Sequence, residues 1–105
     1  MSIKDGQVAR ITGGEEAQTI RKILRPFGKP GRNIAELGIG THPRAKVTGC
    51  VLEDEKVLGT VHVGLGNNIS FGGKVNVGCH FDGVLLSPTL VIDGKSILEN
   101  GELQV

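Results

Sequence analysis

A chain of 105 residues accommodates one domain at most, large enough to bury a modest core without disulfide staples. Twelve basic against eleven acidic residues give a net charge of +1, and aromatics make up 3%. That balance excludes a strong pull toward nucleic acid or a membrane surface, and it leaves little with which to stack on bases. Glycine, at 17 residues, is more than twice its usual ~7% share and points to tight turns and close backbone approaches.

In chain order, "IKDGQVARIT" carries Asp5-Gly6 between β-capable runs, a hairpin signal. "TGGEEAQTIRKILRPFG" follows, with Thr12 and Glu15 spaced as a capping box and Ala17, Ile20, Ile23, Leu24 and Phe27 forming one apolar stripe. This predicts an amphipathic helix over about 15–26, stopped by Pro26 and Gly28, and then a loop over 28–33. "LEDEKVLG" suits a single helical turn and a solvated acidic run, and "TVHVG" alternates as a strand. "KVNVGCHFDGVLL" reads as another strand, with Lys74, Asn76, Gly78, His80 and Asp82 on one face and Val75, Val77, Cys79 and Phe81 on the core face. Asp93-Gly94 and Asn100-Gly101 are two further hairpin signals. The fold expected is one α+β domain over 1–105, of mostly antiparallel strands and hairpins with one main helix near the N-terminus.

No apolar run reaches the roughly 18 residues of a membrane span, and "MSIKDGQVAR" does not read as a secretion signal. Cys50 and Cys79 are therefore expected as reduced thiols in a cytoplasmic protein, with Cys79 buried and inert.

The residues with chemistry to offer are Glu36, His62, His80 and Asp82. Each sits in an apolar segment, where an ionised side chain is costly unless it is paired or metal-bound. His-x-Asp puts an imidazole and a carboxylate side by side, and two His with a carboxylate also make the facial set of non-haem Fe(II) oxygenases. Blander readings stand beside this one: a satisfied core histidine, a turn begun at Asp82-Gly83, a surface Glu36. His42 reads as a surface residue. "GLGNNISFGG" is a loop rather than a phosphate cradle, since neither Lys-Ser/Thr nor a helix follows it. Cys79 and His80, adjacent on a strand, point apart and make a poor nucleophilic pair. Glu53 and Glu55 are further carboxylates within reach of consideration.

"NIAELGIGT", "GCVLEDEKVLGTVHVGLG" and "NISFGGKVNVGCHFDGVLLSPTLVIDG" together resemble the C-terminal part of metallo-aminopeptidases of the aminopeptidase T and S type, often labelled leucyl aminopeptidases. The similarity is strongest from Asn33 to Gly94. It implies a hydrolase domain acting on the N-termini of peptides through divalent Zn, Co or Mn, with Glu36, His62, His80 and Asp82 as metal ligands. Two departures make the resemblance a better guide to metal binding than to cleavage: the family's first glutamate lies upstream of the region covered, with nothing between Met1 and Gly31 matching its context, and the chain has no Tyr to stand after His62. Two alternatives remain: an Fe(II) ring-cleaving dioxygenase of hydroxylated pyridines, known among relatives of these peptidases, and a non-catalytic dimerisation module. At most one tightly held ion, self-association into a homo-oligomer, and no nucleic-acid or membrane partner are expected.

Overall fold

Asp5-Gly6, Asp93-Gly94 and Asn100-Gly101 each place two successive residues at positive φ: 52° and 73°, 50° and 79°, 49° and 82°. That geometry matches the right-handed twist of paired strands, so each step closes a hairpin. The computed structural model describes all residues, 1–105. The first step joins β1 (Ser2–Lys4) to β2 (Gln7–Arg10). The other two make a meander of β6 (Leu90–Ile92), β7 (Lys95–Glu99) and β8 (Glu102–Leu103). A third sheet orders β3 (Ile34–Ile39), β4 (Val61–Gly66) and β5 (His80–Leu85) as β3-β4-β5. Hydrogen bonds from Gly40 N to the Thr60 carbonyl and from Gly66 N to the Asn33 carbonyl mark β3 and β4 as antiparallel. The architecture is α+β, with mostly antiparallel strands in small sheets and one main helix, α1 (Glu15–Leu24). No helix is long and apolar enough to cross a membrane.

The chain divides into two compact units. One comprises Met1–Glu36 with Gly64–Phe81. Its buried apolar residues are Val8, Ile11, Ala17, Leu24 and Leu65, so α1 turns Ala17 and Leu24 of the expected stripe inward while Ile23 stays exposed. Arg21 donates through Nε and Nη2 to the Ile11 carbonyl, and Arg32 through Nη1 to the Val8 carbonyl. The second unit comprises Leu37–Val63 with Asp82–Val105. Val61 and Leu98 are its buried apolar residues, and Thr60 and Asp54 are buried with them. The Thr60 hydroxyl donates to the Val57 carbonyl, and Asp54 accepts from the backbone N–H groups of Thr48 and Gly49.

Four local expectations are corrected. Helix α1 begins one residue after Gly14, its N-cap, with no side-chain cap; Glu15 is thus the first helical residue, and the Thr12–Glu15 spacing is two positions out of register for a capping box. The segment expected as a loop over 28–33 holds a helical turn, α2 (Gly28–Gly31), after a tight turn at Arg25–Phe27 whose first-turn Pro26 costs no hydrogen bond. "LEDEK" does form a single helical turn, α3 (Val51–Asp54), but Asp54 is buried rather than solvated, because it satisfies two backbone donors of the preceding loop. The strand expected from Lys74 starts only at His80. Ahead of it, Asn68 Oδ1 accepts from Val75 N and Asn67 Nδ2 donates to the Val77 carbonyl. These amides occupy backbone groups that a sheet ladder would otherwise use.

Candidate metal centre

Gly66 is the point on which the site is built. It lies at φ +102°, and a Cβ there would fall 2.3 Å from the Cys79 carbonyl oxygen, so only glycine lets the two backbones approach this closely. Its N–H donates to the Asn33 carbonyl and its own carbonyl accepts from Asn33 Nδ2, while Asn67 N donates to the Cys79 carbonyl. Asn33 lies three residues before Glu36, and Cys79 lies immediately before His80. The Gly66–Asn67 corner therefore sets the positions of Glu36 on β3 and His80 on β5 together. His80 Nε2 is 3.3 Å from Glu36 Oε1, with the two side chains 32% and 18% exposed.

The other ring nitrogen decides what that contact means. His80 Nδ1 is 2.8 Å from the Asn67 carbonyl oxygen, which can only accept, so Nδ1 carries a proton. In the neutral imidazole, Nε2 then turns a lone pair toward a carboxylate oxygen. Such an arrangement needs either a proton shared between the two groups or a cation between them. Asp82 follows two residues on, on the same face of β5. One ligand atom from each of Glu36, His80 and Asp82 lies within 4.8 Å of the others. Ligands about 2.1 Å from an ion stand roughly 3–4 Å apart, so a group within 4.8 Å is close to the spacing of one ion's ligands. One imidazole with two carboxylates also balances a divalent charge.

His62, the fourth residue expected as a ligand, is outside that group. It lies on β4 over Gly38, where a Cβ would meet the imidazole at 1.9 Å, and its Nε2 is 3.8 Å from Glu55 Oε2, both side chains 12% exposed. His42 is exposed, its Nδ1 accepting from Arg44 N. Cys79 is half-buried, and burial pushes its thiol above the ordinary value of 9.0. The ring of Phe71 is offset-stacked on that of His80, with centroids 6.1 Å apart and planes 27° apart.

A family model of 2,5-dihydroxypyridine 5,6-dioxygenase matches residues 1–105. The chain belongs to the 2,5-dihydroxypyridine 5,6-dioxygenase family. It is 28% identical, over 98% of its length, to the 2,5-dihydroxypyridine 5,6-dioxygenase of Pseudomonas putida KT2440. The solved structure of the dioxygenase from that organism superposes on 96% of the chain, with a TM-score of 0.80 at 28% identity. The chain spans 32% of the length of each.

Membership of this dioxygenase family overturns the resemblance to aminopeptidases T and S. The readings of a leucyl aminopeptidase-like metallopeptidase, and of a hydrolase or protease, fall with it. The reason lies in the residues. Ordered blocks such as "AELGIG" and "CHFDG" report a fold and a set of hard donors, and nitrogen–carboxylate sets serve hydrolytic and oxidative ions alike.

Asn67 and Glu55 carry more of the arrangement than their sequence positions suggest. Asn67 acts on His80 through its backbone carbonyl, which no residue type advertises. Glu55 sits in a charge run whose commonest meaning is solvation.

Proposed function

We propose that Glu36, His80 and Asp82 hold one ferrous ion, and that the chain serves the ring-opening dioxygenation of a dihydroxypyridine. The tautomer of His80 carries this reading: Nδ1–H is fixed by the Asn67 carbonyl, and Nε2 is aimed at a carboxylate 3.3 Å away, which is how a ligating histidine is held. When bound, the ferrous ion supplies the redox chemistry that allows O2 to react with an electron-rich aromatic ring. The chain's own part is to present two carboxylates and one neutral imidazole, and to keep that imidazole in one tautomer and orientation. Ring cleavage of this kind places both oxygen atoms of O2 in the product and draws its electrons from the hydroxylated ring, so no separate reductant is required. Reduced Cys50 and Cys79 and a ferrous ion both suit the cytoplasm as the working compartment.

The test is anaerobic loading with Fe(II), followed by 2,5-dihydroxypyridine and then O2. Ligand binding at the iron, with one O2 consumed per ring opened, supports the reading. A protein that takes up Fe(II) but neither binds the pyridine nor consumes O2 contradicts it.

A further inference from the structure

Phe71 is 58% exposed, an unusual place for one of only three phenylalanines. Its loop is not loose. Phe71 N donates to the Asn68 carbonyl, Gly72 N to the Ile69 carbonyl, and Gly73 N again to the Asn68 carbonyl. Asn67 Oδ1 accepts from Ile69 N, and Asn68 Oδ1 from Val75 N. The two asparagines that order the loop include the one whose carbonyl fixes His80. One run of backbone thus sets both the orientation of the imidazole and the position of an exposed aromatic ring beside it.

Resting on the metal reading above, we propose that Phe71 is a substrate-positioning residue: its exposed ring stacks on the flat aromatic ring of a hydroxypyridine bound at the ion held by Glu36, His80 and Asp82. A planar heteroaromatic ligand carries its binding energy on its faces, and offset stacking is the favoured arrangement of such pairs. Hydroxyl groups at the ion define one end of the ligand and Phe71 its plane, so the pair selects flat rings over other chelators of the same charge.

The experiment uses the full chain loaded anaerobically with Fe(II), comparing wild type with Phe71→Leu and Phe71→Trp. Two probes are titrated, 2,5-dihydroxypyridine and oxalate, a non-aromatic chelator. Phe71→Leu is expected to weaken dihydroxypyridine binding about 3- to 10-fold while leaving oxalate and Fe(II) binding within about twofold, and Phe71→Trp to restore the aromatic preference. Equal losses for both probes would make Phe71 a mere support for His80 and overturn the proposal, as would unchanged dihydroxypyridine affinity in Phe71→Leu. Should wild type bind no Fe(II), the metal reading fails and this proposal with it; Fe(II) and oxalate binding without aromatic preference sinks this proposal alone.

Discussion

At the residue scale, one glycine and one carbonyl govern the site. Gly66→Ala adds a Cβ at a positive φ and 2.3 Å from a backbone oxygen that cannot rotate away. It should cost about 2 kcal/mol or more, read as a lowered urea midpoint at unchanged m-value. Cys79 makes a second test. Burial holds its thiol neutral, so a thiol reagent should label it more slowly than the exposed Cys50. Because the folded thiol titrates later than the unfolded one, its contribution to stability is intact below the ordinary value of 9.0 and is lost as pH rises through the folded value. Glu36, His62, His80 and Asp82 drew notice in the sequence as polar residues in apolar segments, a pattern that picks out candidates without ranking them: His80 proves exposed, and His62 lies outside the group that the other three form. Asn67 could not be named from sequence, since any residue has a carbonyl and only the fold shows where this one points.

Among the elements, the hairpins were the most legible. Asp-Gly and Asn-Gly steps set positive φ locally, without help from tertiary structure. The helix was legible in its apolar spacing but not in its cap: Thr12 and Glu15 match a pattern that Gly14 pre-empts. Thr12→Ala should therefore change stability by less than about 0.5 kcal/mol, where loss of a true cap costs about 1 kcal/mol; thermal unfolding of the variant distinguishes the two. The segment ahead of His80 alternates like a strand yet is not one. Two asparagine side chains capture its backbone, a competition that alternation of apolar residues does not register.

For the whole molecule, ordered sequence blocks conveyed the fold and the donor types but not the reaction, because one nitrogen-and-carboxylate set serves several ions and chemistries. Val91, Ile92 and Leu103 of the β6–β8 meander are 56%, 43% and 44% exposed, apolar side chains left on both faces of that sheet, and self-association is the outcome expected for them. Solution scattering should give a mass above that of one chain, and a monomeric mass at moderate concentration would refute this. Protons compete with a divalent ion for imidazole and carboxylate donors, so Fe(II) affinity should fall as pH drops below about 6, measured by titration across pH. The most direct test is the Fe(II) stoichiometry and affinity of wild type beside four single variants, Glu36→Ala, His80→Ala, Asp82→Ala and His62→Ala. One tightly held ion per chain is predicted, lost in the first three and retained in His62→Ala. No Fe(II) binding by wild type, or loss in His62→Ala with retention in Glu36→Ala, would contradict it.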